Sequence, residues 1–232
     1  MALRRFQPDP ALQPLMDAWR QVQTELASRV AIRPLRPLPR MVAGVDSAIS
    51  PDGGHILSAA VVYDRELRVP IAVSHASAPL LHPYIPGYLG FREGPAVTEA
   101  LRGLRVPYGA VLFDGMGIAH PRRCGIAVQI SVTLDIPGIG VGKSRLFGTH
   151  REPGPKAGDM EALWDGAQQL GWVLRTKDKV RPVYVSVGHR ADLDSARDLV
   201  MGCCAGYRLP EPTRLADREV AAFKATWPAP VR

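Results

Sequence analysis

Four acidic residues stand at places where a carboxylate needs a chemical reason. Asp46 interrupts the apolar run MVAGVDSAI, and Asp114 ends the apolar run YGAVLF and is followed by GMG. Burying a carboxylate in a strand is unfavourable unless it is paired or bound to a cation. Ligands of α/β sheets collect at the carboxyl ends of such strands. Glu93 lies just before a helix that is predicted to have a proline in its first turn, and Asp217 lies in the last predicted helix, so four carboxylates are candidates for one site.

Each acid taken alone has a simple structural explanation, as a turn residue, a helix cap or the partner of a nearby arginine. Three or four that converge would instead need a divalent cation, and hard oxygen ligands suit Mg²⁺, with Mn²⁺ as a substitute. The chain carries 29 Lys and Arg against 22 Asp and Glu, a formal charge of +7, which favours a polyanionic partner. An acidic metal centre in a basic protein indicates a phosphodiesterase acting on nucleic acid.

Composition narrows the class of protein. The 232 residues are 46% hydrophobic and show no repeat or composition break, which predicts a single domain over residues 1–232. No apolar run approaches the roughly 18 residues that span a bilayer, and the N-terminal MALRRFQPDP lacks the apolar segment of a secretory signal. Three cysteines make no disulfide framework. We expect a cytoplasmic monomer with no membrane partner.

The elements that would position these acids begin with a helix from Asp9 to Val30. Its predicted apolar stripe is Leu12, Leu15, Met16, Trp19, Val22 and Leu26. Three strand-like runs follow, at 41–49, 55–64 and 67–76, and their short turns predict an antiparallel meander. Pro70 places the third strand at an edge or a bulge.

The second half alternates strands and helices. Strands are predicted at 108–113, 136–142 and 181–187, the first two as buried and parallel. Helices are predicted at 94–104, with Pro95 in the first turn, and at 124–134, 192–204 and 212–225. Residues 149–159 read as a loop. The sum is a mixed α/β domain: a three-strand antiparallel meander, then further parallel strands flanked by helices.

Four long segments carry a resemblance to a known family: PYIPGYLGFREGPA (83–96), FDGMGIAHPRRCGIA (113–127), IPGIGVGKSRLFG (136–148) and GYRLPEPTRLAD (206–217). They resemble endonuclease V, the inosine-directed DNA repair nucleases with a ribonuclease H-like fold. The matching blocks run from about Gly44 to Asp217. The resemblance implies a metal-dependent endonuclease that recognises deoxyinosine in DNA and cleaves the second phosphodiester bond on its 3′ side, leaving 5′-phosphate ends.

The resemblance also implies roles for single residues. Asp46, Glu93, Asp114 and Asp217 match the metal-binding positions, and Lys143 and His120 match residues expected to assist at the phosphate. The wedge that enters the space of a displaced base matches Pro83, Tyr84, Ile85 and Pro86. Met116 stands where the family often has histidine, and methionine cannot replace a hydrogen-bonding imidazole.

The substrate side adds expectations of its own. A deaminated base sits in a weakened pair and is cheaper to extrude, and Tyr84 offers a ring for stacking. Gly115 and Gly117 are either pocket glycines that let a flipped base approach the backbone or members of tight turns. Arg122 and Arg123 are expected to contact phosphates.

Two alternatives stay open. One is the same nuclease acting on inosine in single-stranded RNA, because contacts to the 2′-hydroxyl are not visible in a sequence. The other is a non-catalytic nucleic-acid-binding protein that uses the same basic face. The four intact acids argue against it, since negative charge beside phosphates does not help a protein that only binds.

Overall fold

The computed structural model describes residues 9–228, so the basic start of the chain and its last four residues lie outside the described part. The chain begins with a short 3₁₀ turn, Pro10–Leu12, that leads into α1, Gln13–Ser28. The predicted stripe is wrong at one position: Val22 is exposed, and Gln23 is buried in its place. None of the described helices is long and apolar enough to cross a membrane.

The antiparallel meander is confirmed. It consists of β1 (Met41–Ile49), β2 (His55–Asp64) and β3 (Val69–Pro79), with β2 in the middle. The register of β2 and β3 shifts beside Pro70, where Tyr63 pairs with Pro70 and Val62 pairs with Ala72. β3 is an edge strand of the sheet. The proline therefore lies where its missing N–H costs no ladder bond of a central strand.

Two buried strands continue the sheet in parallel with β1. They are β4 (Ala110–Phe113) and β5 (Gly138–Gly142). Between them lies α3 (Ile126–Leu134): Ile126, Ala127 and Ile130 pack against the sheet, and Val128 and Val132 pack with Leu26 of α1. Since all three strands run the same way, their carboxyl ends meet at one edge of the sheet.

The helix before β4 starts earlier than predicted. α2 spans Leu89–Gly103, so Pro95 lies in its second turn and Glu93 lies inside the helix rather than ahead of it. Proline in a helix interior removes the hydrogen bond to the carbonyl four residues back, here that of Phe91, at a cost of about 3 kcal/mol. Packing of the apolar face of α2 on the sheet offsets this cost, because Val97 and Leu101 are buried in the same cluster as Phe113.

The C-terminal third contains a hairpin that the sequence analysis did not predict. Its strands are β6 (Met160–Asp165) and β7 (Gln168–Leu174), and β8 (Val183–His189) joins it to β5. The strand order is β3-β2-β1-β4-β5-β8-β7-β6. β8 runs antiparallel to β5, so the expectation of further parallel strands holds only as far as β5.

The last two helices cover the face of the sheet opposite α2 and α3. They are α4 (Leu193–Gly202) and α5 (Glu211–Ala225). β1 alternates between the faces: Val42 belongs to the cluster around α4, and Ala43 and Val45 to the cluster around α2 and α3. Gly44 shares the face of Val42, where a Cβ would lie 2.1 Å from the backbone carbon of Pro212 in α5. This contact fixes α5 directly on the strand that carries Asp46.

Candidate active site

Neighbouring parallel strands bring Asp46 and Asp114 together. Val45 of β1 is paired with Phe113 of β4, so the residues that follow them lie side by side at the same edge. β5 ends at Gly142 and delivers Lys143 to that edge. The ammonium Nζ of Lys143 lies 2.6 Å from Asp114 Oδ2 and 3.8 Å from Asp46 Oδ2. The sheet therefore assembles two carboxylates and one cation without any help from loops.

The other two acids reach this edge from opposite faces of the sheet. Asp46 has the strand parity of Val42 and Gly44, which points it toward α5, and the Asp217 carboxyl lies within hydrogen-bonding reach of it. Glu93 comes from α2 on the other face, close enough for the charges of Asp114 and Lys143 to act on it. The structure thus brings together all four acids singled out in the sequence.

Titration behaviour shows how crowded the carboxylates are. Burial, followed by the charge of Asp114, raises the pKa of Asp46 to about 8. Burial also raises the pKa of Glu93 to about 7, and the Asp114 charge adds to the effect. For Lys143, burial acts to lower the pKa, but the nearby carboxylates outweigh it and leave the pKa raised. One ammonium is thus shared among more negative charge than it can compensate.

The described residues do not hold a ready-made cluster of three or more His, Cys, Asp or Glu at metal-ligand spacing. Lys143 lies between two of the acids instead. The donor set still suits a divalent cation, because all four ligand candidates are hard carboxylate oxygens and two of them have raised pKa values in its absence. A divalent cation would compensate the negative charge that the single Lys143 ammonium leaves uncompensated.

Beside the acids opens a cleft of about 380 Å³, the right order of size for one nucleobase with its sugar. Asp114, Lys143 and Tyr84 are among the residues that line it. Gly115 also lines the cleft, as expected for a pocket glycine, which is one of its two predicted roles. Gly117 does not: a Cβ there would lie 2.0 Å from the carbonyl oxygen of Val187, so this glycine permits close packing on β8.

The PYIP segment is split between surface and core. Pro83, Tyr84 and Pro86 are exposed, whereas Ile85 is buried against α1 and serves as the anchor of the loop. Tyr84 keeps 49% of its surface exposed, and the Arg92 guanidinium carbon lies 5.8 Å from its ring centroid. The Tyr84 ring of the predicted wedge is therefore exposed on a loop that Ile85 anchors, while Ile85 itself is too deeply buried to contact a base.

A single carbonyl fixes the end of this loop. Gly87, at φ +82°, accepts three hydrogen bonds through its oxygen: from Gln23 Nε2 at 2.9 Å, from His120 Nε2 at 2.9 Å and from Arg122 Nη2 at 2.8 Å. Gln23 Nε2 also donates to the Cys124 carbonyl, and its Oε1 accepts from Arg122 Nε. We call Gln23, His120 and Arg122 the Gly87 clamp. It ties the loop to α1 and to the segment after β4.

The clamp engages two residues with predicted roles at the phosphate, His120 and Arg122. His120 was expected to act at the phosphate, but Nε2 donates to Gly87 while Nδ1 accepts from the Arg122 backbone N–H at 3.1 Å. Burial lowers the pKa of His120 to about 4, so the ring is neutral at pH 7. Arg122 is likewise occupied by Gln23, Gly87 and the face of the Tyr88 ring, 4.3 Å from its guanidinium carbon. Both therefore hold the loop in place: the two ring nitrogens of His120 are engaged, whereas Nη1 of Arg122 has no hydrogen-bond partner among the described residues, so a phosphate contact of Arg122 stays a prediction.

Arg123 is engaged by the protein in the same way. It forms an ion pair with Asp165, donates through Nε to Gln168 at 3.0 Å and through Nη1 to the His120 carbonyl. These contacts tie the active-site segment to the β6–β7 hairpin, and the expected phosphate contact of Arg123 stays a prediction.

Met116 forms part of the wall of the cleft. Its side chain is buried with Leu163, Leu170 and Val173, and a Cβ on Gly142 would lie 2.5 Å from its terminal methyl. The residue thus supplies an apolar surface to the cleft where the family often has a hydrogen-bonding ring.

Sequence reasoning missed Gln23 as a member of the site. The signal was available: Met16, Trp19, Gln23 and Leu26 follow helical spacing, so one polar residue occupies a buried stripe. A buried amide has to find partners. Arg145 and Leu146, which line the cleft after Lys143, were also not singled out.

Comparisons with known proteins agree with this geometry. The family model of endonuclease V matches residues 24–218. Endonuclease V of Azotobacter vinelandii is 51% identical over 200 residues, 86% of this chain and 90% of its own, and that of Alkalilimnicola ehrlichii is 48% identical over 209 residues, 89% and 91% of the two chains.

Solved structures show the same likeness. The Streptomyces avermitilis endonuclease V has a TM-score of 0.84 at 40% identity, covering 91% of this chain and 94% of its own. Ciona intestinalis endonuclease V, solved with a 24mer DNA containing an inosine, has a TM-score of 0.81 at 26% identity, covering 91% and 98%. With four acids at one sheet edge beside a base-sized cleft, and with these relatives over most of its length, the chain belongs to the endonuclease V family.

Proposed function

We propose that this protein is a divalent-metal-dependent endonuclease that recognises deoxyinosine in DNA and cleaves the second phosphodiester bond on the 3′ side of the lesion. One observation carries the proposal: Lys143 contacts Asp46 and Asp114, and Lys143 and Asp114 line a cleft that an exposed tyrosine, Tyr84, also lines. The machinery for a phosphate and the space for a base are adjacent. The Ciona relative bound to inosine-containing DNA supports the same assignment of substrate.

Asp46, Glu93, Asp114 and Asp217 would hold the metal, with Mg²⁺ the ion that this oxygen donor set fits and Mn²⁺ a substitute. When bound, the ion supplies activation of water and compensation of charge at the phosphate. Lys143 is already held at Asp114 and adds a cation beside the scissile phosphate. The site's negative charge is thus matched to a cationic cofactor, and the chain's positive charge to the DNA backbone.

The cleft accounts for the choice of base. A hypoxanthine ring pairs weakly and unstacks at low cost, and once displaced it can enter a space walled by Met116 and Gly115. Tyr84 would fill the gap that it leaves, because its ring is exposed and its loop is fixed from beneath by Ile85 and the Gly87 clamp. A loop ordered before binding loses little conformational entropy when it takes up DNA.

Nicking of an inosine-containing duplex by Asp114→Asn tests the metal assignment. We expect at least a 10²-fold loss of rate with an unchanged melting temperature, since the charge that would attract the cation is removed while the volume is kept. Asp52→Asn, in the exposed β1–β2 turn, is the matched control and should nick at the wild-type rate. Full activity of Asp114→Asn would overturn the proposal.

Tyr84→Ala tests the wedge separately. Loss of base stacking, worth about 1–3 kcal/mol, should weaken binding of inosine DNA about tenfold and leave binding of undamaged DNA nearly unchanged. Tyr207→Ala removes a comparably exposed ring that does not line the cleft, and should change neither affinity. Equal losses for Tyr84→Ala on both DNAs would contradict a lesion-specific role.

The same assays on a single inosine strand, made once as DNA and once as RNA, decide between the two nucleic acids. We expect faster cleavage of DNA. A clear preference for RNA would replace the substrate in this proposal and leave the metal assignment untouched.

A further inference from the structure

A second groove continues from the cleft toward the β6–β7 hairpin. Arg145 and Leu146 line both the active-site cleft and this neighbouring depression of about 390 Å³, whose other wall includes Phe147, Thr149 and Trp164. Thr149 and Trp164 in turn line a third depression that reaches Arg151. Shared lining residues connect the three depressions in sequence, and we call the two beyond Leu146 the hairpin groove.

The backbone of Trp164 is fixed by hydrogen bonds, and its side chain is exposed to solvent. Its backbone N–H and carbonyl both pair with Thr149 at 2.8 Å, and the ladder shifts register beside it, between Leu163 and Trp164. Its side chain nevertheless remains 41% exposed. The neighbouring Asp165 is tied to Arg123, which connects the hairpin to the segment that carries His120. An exposed aromatic ring on a fixed backbone can stack on a planar group such as a nucleobase.

Charge along the hairpin groove favours an anionic occupant. Within residues 9–228, Arg145 and Arg151 have no carboxylate at ion-pair distance, whereas the acids Asp165 and Glu152 are already compensated by Arg123 and Arg175. Glu161 is the acid that stays uncompensated along the lining. Unpaired arginines beside an exposed aromatic ring form the combination that binds single-stranded nucleic acid, with phosphates on the cations and a base on the ring.

We propose that the hairpin groove binds the DNA strand flanking the lesion as it leaves the active-site cleft, with Trp164 stacking on one unpaired base and Arg145 and Arg151 contacting the backbone. This inference rests on the proposed function, because it takes the inosine-bearing strand as the occupant. It adds a contact surface that the catalytic residues do not need, and it predicts that the length of the flank affects affinity.

The test compares single inosine strands with flanks of about three and about fifteen nucleotides; at roughly 3.4 Å per nucleotide only the longer flank can run along the groove. Binding is measured on Asp114→Asn protein to prevent cleavage. The protein without further substitution should bind the long strand more tightly than the short one. Adding Trp164→Ala should lower the ratio of long-strand to short-strand affinity about tenfold, and Trp164→Phe should retain most of the ratio. The control Leu67→Ala, at an exposed residue in the turn between β2 and β3, should leave the ratio unchanged.

Two further outcomes decide the matter. Tryptophan fluorescence should be quenched more by the long strand than by the short one, and Trp164→Phe should abolish the difference. On a fully paired duplex of the same length the effect of Trp164→Ala should shrink, because paired bases are not free to stack. Equal gain from the flank in all variants, or equal losses on both lengths, would overturn the inference. Failure of the wild type to nick inosine DNA would instead refute the proposed function.

Discussion

The Gly87 clamp makes a strong prediction at Gln23, a residue far from the acids in sequence. Gln23→Met keeps the volume of the side chain but removes its donated bonds to Gly87 and Cys124 and the acceptor for Arg122. The Gly87 oxygen keeps two donors, so the main cost falls on the buried Cys124 carbonyl and on the guanidinium. At about 1–3 kcal/mol for each buried group left without a partner, we expect a loss near 3 kcal/mol.

Urea denaturation measures this loss directly. With a slope of about 3 kcal/mol per molar urea for a chain of this size, the midpoint of unfolding should fall by about 1 M. Gln21→Met, on the exposed side of the same helix, is the matched control and should shift it by less than about 0.2 M. Binding of inosine DNA should weaken in Gln23→Met more than binding of undamaged DNA, because the loop that carries Tyr84 loses its tether. Equal midpoints for the two variants would refute the reasoning, as would lost stability with unaltered lesion affinity.

Three other perturbations probe different parts of the site. Gly44→Ala places a Cβ 2.1 Å from the backbone carbon of Pro212; moving α5 should cost about 2 kcal/mol and at least tenfold in nicking, and a melting curve and nicking rate like those of the wild type would contradict the contact. Burial lowers the pKa of His120 to about 4, so as the pH falls from about 6.5 to 4 the unfolded chain binds a proton first and stability decreases, by about 3 kcal/mol at pH 4.5. His120→Gln keeps a donor for Gly87 and should lose that part of the pH dependence of the urea midpoint; parallel profiles would count against it. Chelation of divalent ions should abolish nicking yet lower the melting temperature by less than about 5 °C, because Lys143 already compensates part of the carboxylate charge; unfolding on chelation would show that the metal is structural.

The sequence was sufficient for features that depend on local patterns. The meander followed from short turns between β-rich runs. Asp46 was recognisable as an acid inside an apolar strand and Asp114 as an acid directly after one. Parallel strands with their carboxyl ends at one edge were enough to bring these acids together. Glu93 and Asp217 needed the family resemblance, since nothing in their spacing shows that two helices on opposite faces converge on this edge.

What escaped prediction depended on partners distant in the chain. The hairpin at β6 and β7 shows little alternation of apolar and polar residues, and its support comes from β8. The direction of β8 is decided by the path of the chain through that hairpin. The contacts of His120 and Arg122 also escaped prediction, because the carbonyl that they share belongs to Gly87, more than thirty residues earlier.

Gly44 has a consequence for how this enzyme tolerates change. The main chains of β1 and α5 touch directly where Gly44 meets Pro212. The distance between Asp46 and Asp217 is therefore not set by a side chain whose size a substitution could change. Substitutions elsewhere in the apolar layers can alter stability while the distance between these two carboxylates stays the same. Efforts to redirect such a nuclease toward other bases are therefore best aimed at Met116 and the Tyr84 loop, where the walls of the cleft are side chains and can be exchanged.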